Sequence, residues 1–299
     1  MTLSIHHIAI NAQAPETLSA LYERAVGFER VAGPGPALWL AAPTAYLAFH
    51  QATQARPVAS EQLMVSDQGI GHFCIQSSEG EQTWEALAAQ GITFNAAMTS
   101  LGGNYLYAYG RDPEGNLIEV EGMTMAAEPG PPWMAHVALV SSDIEATSDF
   151  YARLIGRAPH NGGTFTHPAF KAITGHDDVN VTAKWIMTDN LIFELWHYHH
   201  PLTQPAAPPP LGAQGYRHIG FCCANLDREW ERVSALGIIL SKNGDGELPD
   251  ILGPSLSGAD PDGNRFLILQ SPDQNSFLSL ASLASPSLVA DRHRHILNA

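Results

Sequence analysis

Four histidines recur at corresponding places in the sequence, each inside an apolar run typical of a β-strand. They are His7, His72, His136 and His218, and successive members lie 65, 64 and 82 residues apart (72 − 7, 136 − 72 and 218 − 136). Imidazole serves proteins as a metal ligand and as a general base. A lone strand histidine is usually a packed core residue. Four at equivalent positions of an internal repeat instead indicate ligands that converge on a site.

Two glutamates add the carboxylates that a cation site would use. In segment 117–121 apolar and acidic residues alternate, so Glu119 and Glu121 share one face of a strand. Glu194 lies within a similar run, residues 191–196. A carboxylate in the middle of a strand is costly unless its face meets water or a cation. Glu119 is therefore a potential cation ligand unless its face meets water, and we predict Glu121 in solvent beyond it.

A turn motif introduces the strand of Glu119 and recurs late in the chain. Residues 112–116 read DPEGN, and residues 260–264 read DPDGN. Proline fixes φ, glycine accepts positive φ, and aspartate can bond its own backbone, so both segments are predicted turns. After the second turn, Leu267 stands where Glu119 stands after the first. One copy carries a candidate ligand, and the other lacks it.

The elements that position these groups follow one plan, β-α-β-β-β, repeated four times. The apolar spacing predicts helices at 15–26, 80–90, 144–155 and 226–236, each followed directly by glycine. Asp143 is the predicted N-cap of the third helix. The third unit contains extra residues, 160–178, and is followed by a proline-rich connector, 201–210.

A second proline-rich segment, EPGPP at residues 128–132, divides the chain into halves of two units each. We predict domains at 1–125 and 135–272, a linker at 126–134 and a C-terminal tail at 273–299. The tail is expected to pack on the surface or on a partner subunit.

The composition limits the classes of partner and the compartment. The 299 residues have a formal net charge of −15, which argues against binding nucleic acid or an anionic membrane. The three cysteines lie in apolar strand-like runs without CxxC spacing, which favours buried, reduced thiols. No signal peptide and no apolar run of membrane-spanning length is evident, so we expect a cytoplasmic protein.

This pattern resembles the vicinal oxygen chelate superfamily, which includes glyoxalase I, methylmalonyl-CoA epimerase, type I extradiol dioxygenases and the fosfomycin and bleomycin resistance proteins. The resemblance rests on the four strand histidines and the two DPxGN turns, and it covers about residues 3–271. It implies an α+β fold in which four βαβββ units pair into two curved mixed sheets. Ligands would come from the first and last strand of each unit.

Which units pair decides which site exists. If units two and three pair, the resemblance implies a site of two histidines and two carboxylates: His72, Glu119, His136 and Glu194. The sheet of units one and four would then offer, at the same four positions, His7, Ala48, His218 and Leu267. We favour this arrangement because both glutamates fall in one site.

If units one and two pair instead, as in extradiol dioxygenases, the ligands would be His7, His72 and Glu119. That is the two-histidine, one-carboxylate set of non-haem Fe(II) oxygenases. The second half would then hold His136, His218 and Glu194.

The resemblance implies an enzyme with a divalent metal ion (Fe²⁺, Mn²⁺, Ni²⁺, Co²⁺ or Zn²⁺) and a small-molecule substrate. A lyase or isomerase of the glyoxalase or epimerase type would act on vicinal oxygens through a metal-bound enediolate, with Glu119 or Glu194 as base. An extradiol dioxygenase would use Tyr109, although residues 101–104 (LGGN) lack the further histidine expected there. A non-enzymatic small-molecule binding protein is the third alternative. A homodimer is also expected.

Overall fold

A computed structural model describes residues 2–56, 63–124, 130–242, 253–273 and 278–283. Four successive units appear along the chain. The first contains β1 (Ser4–Ala12), α1 (Pro15–Val26), β2 (Glu29–Val31), β3 (Leu38–Ala42) and β4 (Ala45–Gln51). The second contains β5 (Gly69–Ser77), α2 (Gly80–Ala89), β6 (Thr93–Phe94), β7 (Thr99–Ser100), β8 (Tyr105–Arg111) and β9 (Leu117–Met123).

The second half of the chain repeats the plan with one addition. The third unit contains β10 (Trp133–Val140), α3 (Ile144–Ile155), β11 (His160–Phe165), α4 (Phe170–Thr174), β12 (Asn180–Met187) and β13 (Ile192–His200). The fourth contains β14 (Gly215–Cys223), α5 (Leu226–Ala235), β15 (Ser241–Lys242), β16 (Ser255–Ala259) and β17 (Arg265–Gln270). A 3₁₀ turn follows at Leu280–Ser282.

The strands of the described residues join two mixed sheets. Sheet I unites units one and four in the order β15-β16-β17-β14-β1-β4-β3-β2. Sheet II unites units two and three in the order β11-β12-β13-β10-β5-β9-β8-β6, with β7 also paired to β8. In each sheet the first strands of its two units pair antiparallel, and each pairs in parallel with its own unit's last strand.

The predicted α+β fold of four units in two mixed sheets is confirmed, and the favoured pairing is the one observed. The alternative in which units one and two share a sheet is wrong here, because β1 and β5 lie in different sheets. Each sheet draws one unit from each half of the chain. The predicted domain boundaries around 126–134 therefore stay a prediction about the sequence, and residues 125–129 lie outside the described part.

The helices begin and end where the sequence signals predict. Asp143 caps α3 by accepting a hydrogen bond from the Ala146 amide, and Gly156 ends it in the left-handed conformation. Gly27 ends α1 in the same way. The short helix α4 was not predicted, and its segment lies within the extra residues 160–178.

The main core lies between the two sheets, with the helices contacting both. Tyr22 of α1 packs against Phe49 of sheet I and Phe73 of sheet II. Tyr151 of α3 does the same between Phe193 and Phe221. The faces of the two sheets that point away from this core line separate sites. The three cysteines are free and buried, as predicted, and no helix among the described residues is long and apolar enough to cross a membrane.

Candidate metal centre

The pairing of β5 with β10 brings two of the repeat histidines together. His72 lies opposite Ala138, and His136 lies opposite Cys74, on adjacent antiparallel strands. Both side chains are buried, and their Nε2 atoms are 3.2 Å apart. The equivalent positions of the two units therefore meet across the centre of sheet II.

The last strand of unit two adds a carboxylate to the pair. Glu119 on β9 lies beside Cys74 of β5, in the same row as His136. Its Oε2 atom is 3.0 Å from Nε2 of His72 and 2.9 Å from Nε2 of His136. Ile118 and Val120 belong to the main core, which confirms the predicted alternation along this strand. Glu119 is thus directed away from the core, into the cluster.

Glu194 reaches the same cluster from the last strand of unit three. It lies beside Ala138 of β10, in the row that contains His72. Its Oε1 atom is 3.4 Å from Nδ1 of His136, and its Oε2 atom accepts a hydrogen bond of 3.0 Å from the indole of Trp196. Glu194 therefore contacts a different edge of the His136 ring from the one that faces Glu119.

The donor set suits a cation. Ligand atoms bound to one ion at about 2.1 Å and at right angles lie about 3 Å apart, and the His72, His136 and Glu119 atoms are 2.9–3.2 Å apart. Ligand atoms of His72, His136 and Glu194 also lie within 4.8 Å of one another. Buried imidazole nitrogens and carboxylates in contact are stabilised when they share a metal or a proton. The residues present fit a divalent metal ion.

A cavity of about 560 Å³ opens onto this cluster. Its walls are mainly apolar and aromatic, with a few polar groups converging at the base, as is typical of small-molecule sites. The aromatic lining includes Tyr107, Tyr109, Trp185, Trp196 and Tyr198.

Tyr109, predicted at the site, lies beside the cluster. It faces Glu119 across β8 and β9, and its ring centroid is 4.9 Å from that of His72. Burial raises the pKa of Tyr109 well above its usual value, and the negative charge of Glu119 raises it further. Its phenol is therefore protonated at neutral pH and can donate a hydrogen bond into the cavity.

Glu121 was predicted to be solvated beyond the site, and that prediction is wrong. Its side chain is buried, lines the cavity and accepts a hydrogen bond of 2.6 Å from Gln76. Ligand atoms of Cys74, Glu119, Glu121 and His136 lie within 4.8 Å of one another. The shared face with Glu119 was the signal in the sequence, but its burial depends on neighbouring segments.

The extra residues of unit three form one wall of the cavity, a role that the sequence reasoning missed. Residues 164–167, at the end of β11 and directly after it, line the wall, and Phe170 and Ile173 of α4 pack in the hydrophobic cluster that contains Tyr109. Asn95 of unit two binds the Ile173 carbonyl from across the sheet (2.8 Å). The longer spacing between His136 and His218 was the available signal.

The histidine-rich run 197–201 mostly continues β13. His197 contacts the Ser141 carbonyl (2.9 Å), and His199 contacts Thr182 (2.8 Å). Neither belongs to the groups of possible metal ligands found among the described residues.

His7, predicted as a ligand, lies in sheet I and is not brought to the cluster. Its Nε2 atom is 3.0 Å from Nε2 of His218. Ala48 and Leu267 lie on the last strands of units one and four, where sheet II has its glutamates. Two histidines therefore meet in sheet I as in sheet II, but without the carboxylates.

Part of the predicted tail closes one side of this second histidine pair. Leu278 packs with Trp39, Tyr46 and Ala48, and its carbonyl lies 2.9 Å from Nε2 of His6. The Tyr46 hydroxyl donates to the Ser279 carbonyl (2.9 Å).

Comparison with known proteins agrees with this architecture. The family model described as Glyoxalase/Bleomycin resistance protein/Dioxygenase superfamily matches residues 4–120 and 133–268. No curated protein matches the sequence. Glyoxalase I from Zea mays superposes with a TM-score of 0.64 at 16% identity, covering 90% of this chain and 92% of that one. A proposed dioxygenase from Bacillus subtilis superposes with a TM-score of 0.62 at 14% identity, covering 99% and 96%.

At these identities the two structures establish the fold, and the family assignment comes from the model match, which spans most of the sequence in two segments. The repeated units, their pairing and the histidine–glutamate cluster are in keeping with that match. The chain belongs to the Glyoxalase/Bleomycin resistance protein/Dioxygenase superfamily.

Proposed function

We propose that this protein is a divalent-metal-dependent lyase or isomerase of the glyoxalase or epimerase type, acting on a small substrate with vicinal oxygens. The observation that carries the proposal is the meeting of His72, His136 and Glu119 at 2.9–3.2 Å, with Glu194 beside them at the base of a cavity. The structural likeness to glyoxalase I supports the same reaction class.

His72, His136 and Glu119 would hold the cation, since their donor atoms face one another. A bound divalent cation supplies Lewis acidity, which stabilises negative charge developing on a substrate oxygen. The apolar wall around Phe170 and Tyr198 excludes water and strengthens electrostatic interactions inside the cavity.

Glu194 is the better candidate for the base. Both glutamates line the cavity, but Glu119 is engaged by both imidazoles through one oxygen, whereas Glu194 contacts the outer nitrogen of His136 and the indole of Trp196. We assign Glu194 to remove a proton from a substrate carbon that bears one of the oxygens and to return it to the neighbouring carbon. The protonated Tyr109 phenol would orient a substrate oxygen.

The test measures metal content and proton transfer separately. Purified protein is analysed for bound metal, and deuterium uptake from D₂O is followed by NMR with α-hydroxyketones and α-ketoaldehyde hemithioacetals. Loss of a general base typically costs about 10²–10⁴-fold in rate, so we expect Glu194→Gln to lose exchange by that factor while metal remains. Glu145→Gln, an exposed carboxylate paired with Lys184, is the matched control. Full exchange in Glu194→Gln would refute the assignment of the base.

A ring-cleaving dioxygenase is the second candidate. Two imidazoles and one carboxylate are the ligand set of non-haem Fe(II) oxygenases, and here that set is His72, His136 and Glu119, not the one containing His7. The Tyr109 ring beside His72 and the likeness to a proposed dioxygenase also support it. Protein loaded anaerobically with Fe²⁺ is mixed with a catechol panel in air. A yellow ring-fission product would favour this candidate, and its absence would count against it.

Absence of any bound metal after supplementation with each candidate ion would favour the third alternative, a small-molecule binding protein without a metal.

A further inference from the structure

A second cavity of about 560 Å³ lies apart from the metal centre and shares no lining residue with it. It is bounded by the first residues of β5 and β14, the turn before β17 and the connector between β13 and β14. Gln68 fixes the connector to this region through hydrogen bonds to the carbonyls of Ala206 and Asp262, each 3.2 Å long. The cavity is thus built from several ordered segments.

The side chains around this cavity are unusually basic for this chain. Arg56, Arg217 and Arg265 line it, and Asp67 is its one acidic lining residue among those described. The whole chain has 15 basic residues and a net charge of −15. The lining itself therefore carries three positive groups against one negative group, and the carboxylates of Asp112 and Glu114 also act on Arg56.

Two of these arginines stand at positions where the corresponding residues of unit two are uncharged. Units two and four enter their first strands as Gln-Gly-Ile-Gly-His and Gln-Gly-Tyr-Arg-His, so Arg217 replaces Gly71. After the two DPxGN turns, Arg265 replaces Leu117. Farther along the same strand, Leu267 replaces the carboxylate of Glu119. Unit four thus carries two guanidinium groups at positions where unit two carries glycine and leucine, each near a position of a candidate cation ligand in sheet II.

One buried donor of this cavity has no partner in the described part of the chain: Nε of Arg217, whose Nη1 atom lies 3.5 Å from Oδ1 of Asn11. Behind the cavity lining, Nε2 of His50 and Nδ1 of His218 are also buried without a hydrogen bond among the described residues. Among the described residues, neither Arg56 nor Arg217 forms an ion pair. Buried polar groups without partners are few in native proteins and call for an explanation such as a ligand.

Arg217 and the two histidines are close enough to interact. The ring centroids of His50 and His218 are 6.2 Å apart. Burial lowers the pKa of both imidazoles, and the positive charge of Arg217 lowers it further. Each neutral imidazole keeps one N–H group, which in His218 lies on Nδ1 when His7 donates to its Nε2 atom.

We propose that this arginine cavity is a binding site for a small organic anion that carries a carboxylate or phosphate group. Arg217 and Arg265 would bind the anionic group, since the guanidinium fork matches both kinds of oxygen geometry. Arg56 is held against Gly215 and hydrogen-bonded to Asn116 (2.7 Å), so it adds charge from a fixed position. The same repeat scaffold then has a cation site in sheet II and an anion site beside sheet I.

Isothermal titration with inorganic phosphate and with succinate, at constant ionic strength set by sodium chloride, tests the proposal. We expect at least one of the two anions to bind, and the responding probe tells whether phosphate or carboxylate is preferred. Arg217→Gly, which installs the residue of unit two, should weaken binding about tenfold or more. Arg24→Gln removes one exposed arginine elsewhere and should leave affinity unchanged.

Two further measurements keep the outcomes distinct. If Arg217→Gly lowers the melting temperature, Arg265→Gln is measured instead. This variant should also weaken binding of the anion. His72→Gln should bind the anion as the wild type does, because the metal centre lies in the other cavity. Failure of both anions to bind, or equal weakening by Arg24→Gln and Arg217→Gly, would overturn the proposal. Binding lost only in His72→Gln would assign the anion to the metal centre instead, and so would also overturn it.

Discussion

His136 has a carboxylate near each of its ring nitrogens. Glu119 lies 2.9 Å from Nε2, and Glu194 lies 3.4 Å from Nδ1. One imidazole can offer only one nitrogen to a given ion. The two glutamates therefore occupy different positions: Glu119 lies on the edge of the ring that also faces His72, and Glu194 lies on the opposite edge and lines the cavity.

Replacing the corresponding histidines of two units tests whether metal binding depends on the cluster in sheet II or only on the position within a unit. We expect His72→Gln to lose metal affinity by more than the roughly 10–100-fold typical of changing a residue that only orients a ligand. His7→Gln alters the same repeat position in sheet I and should keep the wild-type metal content. Metal per chain, measured after dialysis against a chelator gradient, decides the comparison. Equal losses in both variants would contradict the assignment of the site to sheet II.

At the level of single residues, the sequence predicted which groups meet, but it did not predict how they are arranged. Spacing, alternation and the family resemblance together selected His72, His136, Glu119 and Glu194, but they also selected His7, which lies in the other sheet. They could not show that Glu194 would contact the outer edge of His136, because that depends on how far each strand is displaced along its neighbour. Nor could they place Glu121, whose burial requires its contact with Gln76.

The two DPxGN turns show how a short element can be stabilised by one buried side chain. Asp112 accepts hydrogen bonds from the amides of Glu114 and Asn116, both 2.9 Å, and from the Asn116 side chain at 2.8 Å. Asp260 repeats these bonds around its own turn. Each turn directs the last strand of its unit into the sheet.

Removing the Asp112 carboxyl should therefore destabilise the fold. Asp112→Ala leaves buried donors without acceptors, and we expect the free energy of unfolding to fall by at least about 2 kcal/mol. Asp149→Ala removes an exposed carboxylate paired with Arg153, and such a pair contributes at most about 1 kcal/mol. Urea unfolding of both variants tests the difference. A loss no greater in Asp112→Ala than in Asp149→Ala would show that the turn does not depend on these bonds.

The elements with a repeat counterpart were predictable, and those without one were not. Helices α1 and α3 have the predicted bounds, since their apolar periods and terminal glycines agree. Helix α4 has five residues, no side-chain cap and no equivalent in the other units. Its position comes from packing of Phe170 and Ile173 over the cavity, which a local pattern does not encode.

Across the whole molecule, the spacing of the histidines could not decide which units pair. Units one, two and three are nearly evenly spaced, so both arrangements fit the sequence. The arrangement observed places both strand glutamates in one sheet and leaves Ala48 and Leu267 in the other. If the two glutamates lay in different sheets, each carboxylate would have fewer partners for its negative charge.

The buried imidazoles of sheet I make the protein sensitive to acid. Burial lowers the pKa of His6 to about 4 and that of His50 to about 3, and it lowers the pKa of His7 and His218 well below the usual value. Below pH 6.5 the unfolded chain binds protons at these groups and the folded chain does not, so stability falls as the pH falls.

Two buried aspartates act in the opposite sense over part of this range. Burial raises the pKa of Asp112 and Asp260 to about 6, so between pH 6 and pH 4 the folded chain binds protons there that the unfolded chain does not. That contribution stabilises the fold as the pH falls. Four histidines outnumber two aspartates, so the net effect of acid is destabilising.

Urea unfolding at pH 8, 6.5 and 5 measures the balance. We expect the free energy of unfolding to fall from pH 6.5 to pH 5, by about 1.4 kcal/mol per pH unit for each net proton taken up on unfolding. His50→Gln should reduce this dependence by one proton. Stability that stays constant or rises as the pH falls to 5 would contradict the account.

The strand order also determines which sheet can be completed first during protein synthesis. All strands of sheet II have been synthesised by the end of β13, and they bear His72, Glu119, His136 and Glu194. In contrast, β1 cannot pair with β14 until unit four begins, and sheet I is complete only after β17. The cation cluster can therefore assemble on the ribosome before sheet I closes. A transcript truncated within unit four would release a chain with its histidine–glutamate cluster complete and one edge of β1 exposed, open to pairing with another copy.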